Sequence, residues 1–436
     1  MKEIKVGMAK ADITPEVGCT LYGYADMRDA ERVLDPLEVK ALAISQNSQT
    51  VIIMSAEICA INTDMCEEIF TNISAATGVP KHNMLFACTH THSGPITRTS
   101  AGWGETDMDY MNGTLIPRSI QAAKEAIASM VSATVGIGAA ECYAGINRRE
   151  ITPEGEVVLG QNPDGPYDPT MTVVTFKTLN GDNIGSLVHF ATHPTVSGRN
   201  TSITRDWPGI MVDRIASVTG APCMYINGAE GNIGPRLSNG RTAANESYLD
   251  EIGTMAADAA EKAYRSVTEF TVPDLGVEAQ EIEYIYAPLP SLAKVEETLE
   301  ALGDPAKLQY TDITLHAQMT KIKEVLASGD EAPRGRKTMQ TVISLGNLAM
   351  VPFPFEAFSD IAIALKQKSP FENTILLGLA MGSFGYLPTK EQLAYGGYEV
   401  ANFRACHVPP FDENLADHLI EENTRLLSEL YESLSH

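Results

Sequence analysis

Apolar residues along this chain fall into short runs, separated by stretches with helical spacing. "LEVKALAIS" (37–45) and "TVIIMSAE" (50–57) are rich in aliphatic and β-branched residues, and the short polar turn between them predicts a hairpin. "NMLFACTH" (83–90), "TMTVVTFK" (170–177), "IGSLVHFATH" (184–193), "PCMYING" (222–228) and the run over 336–356 read as further strands. Helices are predicted over 61–77, 114–131, 206–220, 244–268, 357–368 and 411–433. The segment 206–220 has the clearest ends: Asp206 can cap, Pro208 sits in the first turn and Gly220 stops the helix. Apolar strands that end in polar loops, interleaved with helices, predict an α/β (α+β) fold with a mixed β-sheet core and flanking helices. Residues 290–333 are more charged and more helical, and read as an excursion from the core, a flap over the site. No Pro/Gly/Ser linker interrupts the chain, so 1–436 is read as a single domain.

Composition narrows the function. Hydrophobic residues make up 44% and charged residues 20%, as in an ordinary soluble globular protein. The net charge of −24 excludes a nucleic-acid partner and charge-driven binding to anionic membranes. Seven cysteines, an odd number with no Cys-x-x-Cys pair, read as free thiols of a reducing compartment. "MKEIKVGMAKADITPEVG" has no apolar leader, and no run is long enough to span a membrane. The expectation is a cytoplasmic protein with a small-molecule substrate and no membrane insertion.

Four stretches carry candidate chemistry. "FACTHTHSGP" places His90 and His92 two residues apart, so both would share one face with Phe86 and Cys88 if the strand persists. In "FATHPTVSG", His193 stands where a strand stops, the place where ligands of open α/β sheets gather. In "VPFPFEAFSD", Glu356 follows a buried-looking strand and opens a helix. "GSFGYLPTKEQLAYGGYEV" crowds Tyr386, Tyr395 and Tyr398 onto a Gly-rich stretch, and tyrosines offer a cleft both an apolar body and a polar tip. Spacing alone leaves each of these open between a structural role and a ligand role.

Taken together, "THTHSGP" (89–95), "ATHPT" (191–195), "EGNIGP" (230–235), "PFPFE" (352–356) and "GYLPTKEQLAYGGYE" (385–399) resemble the catalytic domain of the neutral/alkaline non-lysosomal ceramidases. Those enzymes are zinc-dependent amidases. The resemblance implies one zinc ion on His90, His193, Glu356 and Tyr386, with His92 facing the substrate and the bound water. It implies Tyr395, Tyr398 and Arg148 near the substrate amide. The chemistry agrees. Two neutral imidazoles and a carboxylate are a catalytic zinc set, and zinc lowers the pKa of bound water to about 7. His92 is then a proton carrier, and Tyr398 with Arg148 stabilises an oxyanion. Asp206 has two readings, as a helix cap or as a group that orients a histidine.

The sequence also departs from that family. Where the family carries a functional Ser, this chain has Gly234, which closes an acyl-serine route and leaves direct attack by water. Glu230 and Asn232 of the same loop are expected in substrate binding, Glu230 alternatively as a general base. The chain ends after "ADHLIEENTRLLSELYESL", where the resemblance would add a β-sandwich domain, and it shows no lipid-binding hairpin or basic amphipathic helix. The expected activity is therefore metal-assisted hydrolysis of an acyl C–N or C–O bond in a soluble substrate rather than in ceramide. The alternatives are a metal-dependent lyase or isomerase on a sugar-like substrate, with Tyr398 or His92 as base, and a non-catalytic metal- or ligand-binding homologue.

Overall fold

The structure, a computed structural model, describes residues 2–309, 311–329 and 331–434. Its first half is organised by strands β1 (Lys5–Asp12), β2 (Glu38–Gln46), β3 (Gln49–Ala56), β4 (Met84–Cys88) and β5 (Val131–Glu141). Strands β6 (Gly145–Ile151), β7 (Val157–Asn162), β8 (Thr170–Thr178), β9 (Asn183–Phe190), β10 (Cys223–Asn227) and β11 (Ile233–Pro235) follow. An eight-stranded sheet runs in the order β10-β9-β8-β5-β1-β2-β3-β4. Only its two outer pairs, β9 with β10 and β3 with β4, are parallel. Strands β7, β6 and β11 form a small separate sheet. Later in the chain, β12 (Leu275–Ile285), β13 (Gly335–Leu345), β14 (Leu348–Pro352) and β15 (Asn373–Leu377) make a four-stranded sheet in that order.

The two large sheets pack face to face. Alternate residues of the first, Leu42, Ile44, Val51, Ile53 and Leu85, share a core with Ile343, Leu345, Met350 and Ile375 of the second. The intervening residues Val39, Ala41, Ile52, Met54 and Phe86 point the other way, toward helices α1 (Thr63–Thr77) and α2 (Ile116–Ala128). Both faces of these strands are buried, so they read as unbroken apolar runs. Helices α3 (Trp207–Thr219) and α4 (Leu249–Arg265) cover the other half of the large sheet, through Trp207, Met211 and Ala256 against Val188 and Tyr225. In sequence order, α5 (Leu292–Leu302), α6 (Thr311–Ser328), α7 (Ser359–Lys368), α8 (Tyr398–Ala405) and α9 (Leu415–Leu434) complete the fold. Helices α7 and α9 cover the outer face of the second sheet. The layers therefore run helix, sheet, sheet, helix.

The predicted hairpin is β2–β3, closed by Asn47 and Ser48 with φ of 50° and 69°. Two left-handed residues suit the twist of a tight hairpin turn. The helix predicted over 114–131 begins earlier, with an α-turn at Met108–Tyr110 and a π-turn at Met111–Leu115, and becomes regular only at Ile116. Val131 already belongs to β5. That strand has a small-residue pattern because α4 lies close: a Cβ on Gly138 would sit 2.1 Å from the carbonyl oxygen of Ala263. In the 290–333 segment, α5 and α6 share a small core of Val295, Met319 and Ile322.

Candidate metal centre

The His-x-His pair does not ride on one strand face. Strand β4 stops at Cys88, and His90 takes a left-handed backbone with φ of 76°. The amide of His90 donates to the Ile58 carbonyl at 3.0 Å, and its Nδ1 bonds the Cys59 carbonyl at 2.8 Å. His193 is fixed in the same manner. Its Nδ1 lies 2.8 Å from the Glu230 carbonyl and 2.9 Å from that of Ile233. Trp207 Nε1 donates to the His193 carbonyl at 3.1 Å. Each imidazole thus spends its Nδ1–H on a backbone carbonyl and turns Nε2 inward.

Glu356 meets both. It belongs to a two-residue parallel ladder in which it pairs with Tyr386. Its Oε2 lies 3.2 Å from His193 Nε2 and 3.4 Å from His90 Nε2. Two ligands each about 2.1 Å from a tetrahedral ion stand about 3.4 Å apart, so this donor set fits one zinc-like cation. The ligand atoms of His90, His193 and Glu356 all lie within 4.8 Å of one another, and the three are buried. Charge is arranged to match. Burial opposes ionisation of Glu356, but His90 and His193 hold its carboxyl well below the usual range. Burial, reinforced by Arg148, lowers His193 to about 3 and keeps it neutral. Cys59, His90 and His92 form a second possible donor group that overlaps the first at His90. Nothing in its spacing had marked Cys59.

His92 lies beside the cluster, with its Nε2 3.2 Å from that of His90 and its buried Nδ1 without a partner. Burial, with the neighbouring imidazoles of His90 and His193, drives its pKa well down. Gly23, at φ of 109°, leaves room for the ring, because a Cβ there would lie 2.4 Å from His92 Cγ.

Tyr386 stacks on His193 at 6.5 Å between ring centroids, and its hydroxyl accepts from Arg148 Nη2 at 2.9 Å. The Tyr398 ring lies 5.6 Å from that of Tyr386. Arg148 is clamped by Glu399, whose two oxygens accept from Arg148 Nε at 2.9 Å and from Arg149 Nη1 at 2.8 Å. Glu399 was missed in the sequence because an acid in a first helical turn is what a helix dipole favours anyway.

A narrow cleft of about 50 Å³ opens over the cluster, lined by Tyr22, His92, Arg98, Trp103 and Tyr398 among others. Helix α6 contributes Thr314 to its wall. Tyr395 stands elsewhere: it is 57% exposed and faces a separate hollow with Arg149 and Gln392. Asn232 is occupied at the start of α7, its Oδ1 accepting from Ser359 N at 2.8 Å and its Nδ2 donating to Asp360 Oδ2 at 3.3 Å. Glu230 is fully buried and outside the cleft wall, with neither carboxylate oxygen bonded and its pKa pushed up to about 8 by burial. Asp206 is a cap and loop clamp, accepting from Trp207, Val196 and Ser197.

At Gly234, a Cβ would lie 2.6 Å from Thr242 Cβ. Gly234→Ser is therefore expected to lower unfolding stability by about 1–3 kcal/mol, as overpacking does, without installing a labelled acyl-serine. Urea denaturation, together with mass spectrometry after substrate incubation, checks both parts.

The architecture recurs in two solved structures. The neutral ceramidase from Pseudomonas aeruginosa matches with a TM-score of 0.74 at 17% identity, over 97% of this chain and 74% of that one. A ceramidase complexed with C2 matches with a TM-score of 0.73 at 18% identity, over the same shares. No curated protein sequence matches the chain. The likeness is one of mixed α/β fold; in this chain a buried His–His–Glu cluster lies under the cleft. Residues 4–217 match the family described as neutral/alkaline non-lysosomal ceramidase, N-terminal.

Proposed function

We propose that the chain is a zinc-dependent hydrolase that cleaves an acyl amide or ester bond in a small soluble molecule, with His90, His193, Glu356 and Tyr386 holding the metal. The observation that carries this reading is the convergence of two Nε2 atoms and one carboxylate oxygen, each imidazole fixed through Nδ1 to the backbone. A zinc ion, when bound, supplies Lewis acidity to water and to the acyl oxygen. His92, kept neutral by burial, accepts a proton and returns it to the leaving group. The Tyr398 hydroxyl donates to the developing oxyanion. Arg148, itself held by Glu399, positions the Tyr386 phenol. Tyr395, in the neighbouring hollow, is assigned the outer part of a substrate. Glu230 and Asn232 support His193 and α7 through the bonds described above rather than touching substrate.

A small polar substrate is favoured over ceramide by the narrow cleft and the net charge of −24. Among the described residues, no helix is long and apolar enough to cross a membrane. Purified protein loaded with zinc is expected to release acid and amine from short N-acyl compounds at least about tenfold faster than from ceramide in vesicles. Comparable turnover of ceramide would reverse the substrate assignment. Absence of any acid product from short amides and esters would remove the hydrolase reading.

A further inference from the structure

A second hollow, of about 370 Å³, lies against the cleft; Arg98 and Cys406 line both. It sits at the N-terminus of α1, a 15-residue helix whose N-cap residue, Asn62, makes no side-chain capping bond. Arg336 and Ser383 also line it, so two arginines border one space. Among the described residues neither Arg98 nor Arg336 forms an ion pair. Arg98 is instead bonded to Tyr22, and Arg336 lies over the Phe384 ring at 5.8 Å. Ser383 is only 6% exposed, yet its Oγ has no hydrogen-bond partner, and the buried Oγ1 of Thr63 lacks one as well. A buried hydroxyl left unpaired costs about 1–3 kcal/mol, so two of them in one hollow call for an explanation. Gly382 brings them together: a Cβ there would lie 2.5 Å from Thr63 Oγ1. One acidic residue, Asp64, also lines the hollow, and its carboxylate accepts from Met65 N at 3.0 Å.

We propose that this hollow is a binding site for an anionic oxygen group, a carboxylate or a phosphate, on the far end of the substrate whose acyl bond lies at the His90–His193–Glu356 cluster. The substrate part rests on the hydrolase reading. Helix N-termini, guanidinium forks and hydroxyl donors all favour such oxygens. In a chain with 56 acidic and 32 basic residues, two arginines beside a cleft that form no ion pair among the described residues are not a general property of the surface.

Titration calorimetry on the full chain, with inorganic phosphate and separately with acetate, tests the site without reference to activity. Saturable binding of at least one anion is expected, weakened at least tenfold in Arg336→Met and largely kept in Arg336→Lys. Arg336 is an exposed strand residue, so both variants should keep the fold, and a melting curve checks it. Tighter phosphate identifies a phosphate group, and tighter acetate a carboxylate. No binding of either, or equal binding by Arg336→Met, overturns the proposal. The second arm compares two short amides, one ending in the preferred anion and one in a neutral group of the same size. A KM at least tenfold lower for the anionic amide, with the gap closing in Arg336→Met, supports the shared substrate; equal KM values overturn it. Anion binding with no hydrolysis of either amide removes the hydrolase reading and leaves the anion site standing.

Discussion

His193→Ala is expected to lose bound zinc and to cut acyl hydrolysis on the order of 10³-fold. His193 is fully buried, and its Nε2 is one of the inward lone pairs of the cluster. Its loss also strips the Glu230 and Ile233 carbonyls of their shared donor, which should cost about 1–3 kcal/mol of stability. Glu356→Gln separates the two effects, because it keeps the side-chain volume and removes only the negative charge that the imidazoles face. Both variants should show less than a tenth of the wild-type metal content by elemental analysis after dialysis. Only His193→Ala should show a clear drop in the urea midpoint. Full metal content in either variant would remove that residue from the centre.

The sequence carried some of this site and not the rest, for physical reasons. His90, His193 and Glu356 each stand at the end of an apolar run, which made them candidates, but spacing left their roles open and the family resemblance singled them out. Spacing alone did not give the relation between His90 and His92, which the resemblance split into a ligand and a substrate-facing residue. Alternation put both on one strand face, but β4 ends at Cys88 and the left-handed turn at His90 sets the two rings edge to face, 4.7 Å apart. Tyr395 looked equivalent to Tyr386 and Tyr398, but Tyr398 opens α8, and Tyr395 on the preceding turn faces outward. Arg98, Tyr22, Cys59 and Thr314 reach the cleft from four distant parts of the chain, with no local pattern to mark them. The same holds for the fold. Strands buried on both faces announced themselves, whereas β12, "LGVEAQEIEYI", carries polar residues and only partly buried positions and gave no apolar run.

Lys40→Met is expected to destabilise the protein by about 3–5 kcal/mol, the usual cost of leaving a buried partner charge unpaired. Lys40 is 4% exposed and Glu57 5%. Lys40 Nζ lies 2.7 Å from Glu57 Oε1 and 2.9 Å from Glu38 Oε2. Burial alone would lower the Lys40 pKa, but the two carboxylates override it and raise it. A raised folded pKa means that the Lys40 contribution is complete below about pH 10.4, the ordinary lysine value, and fades as pH rises through the folded value. On the acid side burial raises the Glu57 carboxyl above its ordinary range, so the charge pair is lost there as that carboxyl takes up a proton. At neutral pH the methionine variant keeps the Glu57 carboxyl without its cation, which is why the single change is costly. Adding Glu57→Leu should recover most of the loss, since a buried ion pair and an apolar pair of similar volume differ little in stability. The recovery should not be complete, because Glu57 Oε2 also accepts from the Glu38 amide at 2.6 Å. The effect reaches the metal centre through the backbone: the segment that follows Glu57 supplies the Ile58 and Cys59 carbonyls that hold His90. Metal affinity should therefore fall in Lys40→Met and return in the double variant, in step with the urea midpoint. A single variant as stable as wild type would mean that the Glu57 carboxyl is already neutral in the fold, and the pair would then contribute a hydrogen bond and no charge.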